Sequence, residues 1–155
     1  MIILSKLADY GVIAATHLAA FPDRHVTAST IATETRLPQA TVAKVLKALA
    51  HAGLVTAARG ASGGYRLARD AAAISVAEVV AAIDGDIGLT QCSVHVEECA
   101  RTTYCPTRPH WAAINRAVGE ALSAISLDAM LTPAAFVPRM ASPAASQPDE
   151  PRFSA

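Results

Sequence analysis

A chain of 155 residues has room for one domain, or one domain with an arm. It is 52% apolar, but alanine supplies much of that and aromatics only 5%, which suits closely packed helices better than a β-sandwich. The formal net charge of zero rules out a polyanion binder that works by total charge, so any such binding must come from a local field.

The charges are segregated along the chain. From residue 36 to 69 stand Arg36, Lys44, Lys47, Arg59, Arg66 and Arg69, with no acid among them. From 70 to 100 stand Asp70, Glu78, Asp84, Asp86, Glu97 and Glu98, with no Lys or Arg. A basic, acid-free stretch is the electrostatic footprint expected of a nucleic-acid reader. No apolar run reaches the ~18–20 residues of a membrane span. The first apolar segment, from Leu7 to Phe21, carries Asp9 and His17 and lacks the form of a signal peptide. A cytoplasmic chain, with no membrane partner, is expected.

The periodicity predicts a first helix over 5–21, with Leu7, Ile13 and Leu18 among its apolar positions and Asp9 in its first turn. For a lone aspartate there, interaction with the helix dipole is the simplest role. Thr27 is placed to cap a second helix over 28–35. After Arg36-Leu37-Pro38, a third helix is expected over about 39–52. Val42, Val45, Leu46 and Leu49 fall at i, i+3, i+4 and i+7, one buried stripe. Ala40, Lys44, Lys47 and His51 occupy the other face. Two helices joined by a tight turn, the second basic outside, form the pattern of a helix-turn-helix reader.

Short strands are expected at 54–56 and 65–67, separated by the glycine-rich Ala57-Ala-Arg-Gly-Ala-Ser-Gly-Gly64. A hairpin directly after a recognition helix is the layout of a winged helix. Its glycines would let backbone approach the sugar–phosphate chain, and Arg59 at the tip can enter a minor groove or pair with phosphate. Tyr65 is expected to pack against the recognition helix. Candidate DNA contacts are therefore Gln39, Ala40, Thr41, Lys44 and Lys47 on the helix, with Arg59 and Ser62 on the wing. Ser75-Val-Ala-Glu78 has the form of a capping box, and Val76, Val79, Val80 and Ile83 continue as a helical stripe to Gly85 and Gly88.

All three cysteines follow, as Cys92-x6-Cys99-x5-Cys105, in text without helical or strand period and closed by Pro106 and Pro109. Three thiols in one irregular loop can curl round an ion or a cluster. Thiolates suit iron–sulfur clusters and zinc alike, and spacing alone does not separate them. With zinc, His95 or His110 would complete the set. A thiol switch without metal also fits. Beyond Pro109, Trp111, Ile114, Val118, Leu122 and Ile125 step by three, four, four and three, close to a 3.5-residue repeat. That favours a narrow seam against a partner helix, hence a homodimer. From Thr132, five prolines among Ala, Ser and acids predict a disordered tail.

The fold class expected is mainly α: a winged helix-turn-helix domain (1–84), a cysteine-bearing loop (85–108), a long C-terminal dimerisation helix (109–131) and a tail (132–155). No catalytic set, phosphate loop or small-molecule site is evident, so the chain is not expected to be an enzyme. A structural zinc module that mediates protein contacts is the rival class. It would have no use for the basic stretch.

The opening Leu4-Ser-Lys-Leu-Ala-Asp-Tyr-Gly11, the wing Arg59-Gly-Ala-Ser-Gly-Gly-Tyr-Arg-Leu67, the three cysteines and the helix after them resemble the Rrf-two family of bacterial transcription regulators, IscR and NsrR types included. The resemblance runs over about 1–130. The segment Cys105-Pro-Thr-Arg-Pro-His-Trp-Ala-Ala-Ile-Asn115 is similar to the branch that regulates the SUF iron–sulfur assembly operon. The resemblance implies a dimer on a double-stranded operator, a repressor of cluster-assembly genes, and a cluster (2Fe–2S or 4Fe–4S) on Cys92, Cys99 and Cys105. Departures bear on the fourth ligand. The first cysteine gap is one residue longer than usual, and Arg108 stands where IscR-type members have a ligating histidine. Asp9 matches the acid that NsrR-type members supply from the other subunit, which makes it the candidate fourth ligand, with His110 the weaker alternative. Ala43 replaces the base-reading glutamate of IscR.

Overall fold

A computed structural model of the chain describes residues 4–85, 88–90 and 104–132. The first helix, α1 (Lys6–Ala19), is capped by Ser5, whose hydroxyl accepts from Ala8 N–H at 3.0 Å. Its inner face is built of Ala8, Gly11, Val12, Ala14, Ala15 and Leu18, mostly small residues that let four other helices approach closely. A Cβ on Gly11 would overlap Ile83 Cδ1, so this position sets how near α1 lies to the helix carrying Ile83.

Thr27 caps α2 (Ala28–Thr35) as expected, its hydroxyl accepting from Thr30 N–H at 3.1 Å. The helix stops at Arg36, which takes the left-handed conformation (φ 58°) and donates its N–H to Ala32 O. Most helices use glycine at such a stop, because a Cβ strains it. Leu37 then reaches the core, and α3 (Gln39–His51) begins after Pro38. Val42, Val45, Leu46 and Leu49 are all at most 1% exposed, so the stripe expected from spacing is the buried one.

Strands β1 (Val55–Ala58) and β2 (Gly64–Leu67) pair antiparallel, Val55 opposite Leu67 and Ala58 opposite Gly64. The hairpin is anchored at its root by Val26, which exchanges two 2.8 Å backbone hydrogen bonds with Tyr65. Tyr65 is half-buried against the core, but what fixes it is this bridge before α2, and its strand lies on α1. A Cβ on Gly64 would come within 2.7 Å of Val26 O, and one on Gly63 within 2.5 Å of Ala58 O. These two glycines therefore serve the wing's own packing, not only an approach to DNA. Gly60 (φ 104°) has open space around it and is needed for the turn.

A 3₁₀ turn (Ala71–Ala73) leads to α4 (Val76–Asp84). The capping box forms in full: Ser75 Oγ accepts from Glu78 N–H, and Glu78 accepts from Ser75 N–H at 2.9 Å. The last described segment differs from expectation. In place of one helix over 109–131 there are two, α5 (Arg108–Ser123) and α6 (Leu127–Leu131). Ser126 caps α6 and bridges Ser75, while Val76 N–H donates to Ile125 O and Leu127 N–H to Ile74 O. Leu127 is fully buried. Ile125 and Leu127 thus belong to the chain's own core, and seating them there breaks the helix.

Candidate nucleic-acid interface and cysteine segment

Because α3 spends its apolar stripe on the core, its other face is free. Gln39, Ala40, Lys44 and Lys47 are exposed and Thr41 is half-buried. Among the described residues neither lysine is ion-paired. Arg59 and Ser62 are exposed on the turn of the wing. The seven candidate contacts thus lie on the two elements a winged helix turns to DNA, with room for a polyanion to reach them.

Not every cation of the basic stretch is available. Arg69 donates to Glu78 Oε1 at 2.6 Å and to Ala73 O at 3.1 Å, so it braces the 3₁₀ turn onto α4. The Ser75 N–H, then the Arg69 guanidinium, hold the Glu78 carboxyl below its ordinary value, against a smaller opposing effect of burial. Arg36 terminates α2. The basic face that remains is narrower than the sequence count suggests. Two groups outside that count adjoin it: Arg24 and His25, in the turn before α2, line a cleft of about 420 Å³ that reaches the wing at Ser62. A lone arginine and histidine in a turn carry no spacing signal by which sequence could have found them.

Of the cysteines, Cys105 is described. It is half-buried, its Sγ 3.3 Å from Thr107 Oγ1, and its carbonyl accepts from Arg108 N–H at the start of α5. Cys92, Cys99 and His95 lie outside the described residues. Asp9, in the first turn of α1, and His110, in the first turn of α5, are exposed. Among the described residues no three His, Cys, Asp or Glu side chains converge on a point.

The entrance to the cysteine segment is tied to two helices. Asp84, which ends α4, accepts from Ser5 Oγ at 2.6 Å and from Ser5 N–H at 3.3 Å, joining the segment's entrance to the start of α1. Leu89 N–H donates to Asn115 Oδ1 at 3.0 Å, joining it to α5. On α5 no residue is fully buried. Leu122 packs on the core, whereas Ile114 is 43% exposed and Trp111 and Val118 are half-exposed. No described helix is long and apolar enough to cross a membrane.

The Rrf2 family model, described as an iron-dependent transcriptional regulator, matches residues 4–133. IscR of Vibrio parahaemolyticus is 36% identical over 84 residues, which are 54% of this chain and 49% of that protein. IscR of Xenorhabdus nematophila is 38% identical over 79 residues, 51% and 48% of the two chains. The matched stretch spans about half the length of each of these relatives. Two solved structures are similar over most of the chain. CymR, the global cysteine regulator of B. subtilis, has a TM-score of 0.68 at 26% identity, covering 84% of this chain and 97% of its own. IscR of T. potens has 0.66 at 28%, covering 84% and 86%.

Proposed function

The chain belongs to the Rrf2 family of transcriptional regulators, and from that premise we propose that it is a homodimeric repressor of iron–sulfur cluster assembly genes whose operator affinity is set by an iron–sulfur cluster. The single observation that carries the reading is a basic face on α3, exposed and unpaired among the described residues, beside a wing, in a chain that gathers all its cysteines into one segment whose entrance is hydrogen-bonded to α1 and α5.

The donor set fits such a group. Cys92, Cys99 and Cys105 would hold it, with Asp9 as fourth ligand and His110 as the weaker alternative. Cys105 sits where α5 begins, so a thiol bound there is fixed to a helix rather than to a free loop. When bound, the cluster supplies a reversible tie between the three thiols. The remaining steps belong to the chain. Order in the segment is felt at Leu89 and thus at Asn115 of α5, and at Asp84 and thus at Ser5 of α1. The face of Trp111, Ile114 and Val118 would meet the same face of a second copy, and its seating sets the separation of the two α3 helices. DNA half-sites repeat at about 34–36 Å, so a small change in that separation alters affinity. Membership in the family does not choose the ligand by itself, since its similar structures carry the names of a cysteine regulator and of IscR.

A zinc-bound or metal-free thiol regulator is the second reading, favoured by the same three thiols. Purification without oxygen, with iron, acid-labile sulfide and zinc assayed on one sample, decides between them. The proposal expects iron and sulfide in near-equal amounts and little zinc. Zinc alone, or none of the three after reconstitution, would refute the cluster.

A further inference from the structure

Of the contacts assigned above only Ser62 lines the cleft between the α1–α2 turn and the wing, and the rest of that cleft has no assigned role. Its lining includes Arg24, His25, Thr30 and Ser62, within about 420 Å³. The Arg24 guanidinium lies 4.2 Å from the centroid of the Phe21 ring. Phe21 is packed against the core and braced by the His17 ring, 5.2 Å away. Arg24 is thus held over a fixed platform, which reduces the freedom it would lose on binding. Among the described residues it forms no hydrogen bond or ion pair through its side chain, so its five donors are unspent.

We propose that this cleft is a clamp for a DNA backbone phosphate, with Arg24 as the anchoring charge and the hydroxyls of Thr30 and Ser62 as its flanking donors. The inference rests on the DNA-binding reading and extends it. In helix-turn-helix readers the first helix of the pair crosses the sugar–phosphate backbone while the second enters the groove. Here that first helix is α2, and the cleft lies where its start faces the wing tip. A phosphate seated there would be gripped by α2 and the wing together, fixing the wing's position along the duplex without reading a base.

The test is a salt titration of binding to a mixed-sequence duplex long enough for two half-sites. Arg24→Gln should lower affinity on the order of tenfold at low salt and reduce the slope of log K against log salt by about 0.9. Arg24→Lys should keep the slope, because the charge remains. Arg116→Gln removes an exposed charge of α5 that lies outside the basic stretch and does not line this cleft, and should leave slope and affinity as in the wild type. The proposal is overturned if Arg24→Gln matches the wild type, or if Arg116→Gln produces an equal loss. Inorganic phosphate titrated alone at matched ionic strength should show no Arg24-dependent binding. A free-anion site at Arg24 with duplex affinity unmoved would overturn the clamp. A wild-type chain that fails to bind any duplex would overturn both the clamp and the DNA-binding reading, whereas loss of the clamp alone leaves that reading standing.

Discussion

Helices α3 and α5 are alike in the sequence and opposite in the fold. Each is amphipathic, with 13 and 16 residues. In α3 four apolar residues are sealed into the core, and what remains exposed is Gln39, Lys44, Lys47 and His51 with two alanines. In α5 no residue is sealed, and Ile114 stands 43% exposed. A helix whose apolar face is spent inside its own domain offers a polar face to a ligand. A helix whose apolar face stays open needs something else to cover it, and its own length is no substitute for burial. The first arrangement suits a reading head, the second a surface completed by a partner.

The comparison breaks most visibly under truncation. Leu46→Ala should cost about 2–5 kcal/mol of folding stability, since the site is fully buried. Ile114→Asp should leave the folded monomer nearly as stable while shifting the chain from dimer to monomer. Denaturation and sedimentation on the same variants check both, and a large stability loss for Ile114→Asp would mean α5 is buried within one chain. Next in size is Gly64→Ala. It forces a side chain against Val26 O at a position of φ 145°, and we expect a loss of about 1–3 kcal/mol with the wing's contribution to DNA binding lost as well. Normal stability would show that the wing root yields.

Smaller effects sharpen the polar side. Lys44→Ala or Lys47→Ala should weaken binding to all sequences alike and reduce the salt slope by about 0.9 each. A loss confined to one base pair would mark the residue as a base reader instead. The smallest effect concerns Glu78. Its folded carboxyl titrates below the ordinary 4.5, so the stability it contributes is present in full above that value and is lost as pH falls through the folded value. The Arg69–Glu78 pair is half exposed, which limits the contribution to less than about 1 kcal/mol. Urea midpoints of wild type and Glu78→Gln should therefore differ slightly at neutral pH and converge in acid. A gap that widens in acid would reverse the sign.

The reading head was legible because its signals are local. Thr27 and Ser75 cap within three residues, and the α3 stripe repeats within three turns. The break after Ser123 was not, because Leu122 and Ile125 continue the seam's spacing in sequence while packing on a different surface. Nothing in a list of residues distinguishes those two destinations. By sequence Arg69 belongs to the basic stretch, because its partner Glu78 is nine residues on, in the acidic stretch, and meets it only after the 3₁₀ turn folds. Arg24 was missed for the converse reason: its position depends on a ring three residues back that the core must first fix. The cysteine segment was legible as chemistry, through residue type and clustering, but which ligands converge is a matter of tertiary placement.

The most direct measurement is operator affinity of one oxygen-free preparation, before and after its cluster is removed, on a fragment selected in vitro. A coupling strong enough to regulate predicts at least about a fivefold difference between the two states, abolished in Cys105→Ala. Equal affinity in both states, from protein shown to carry iron and sulfide when loaded, would contradict the account.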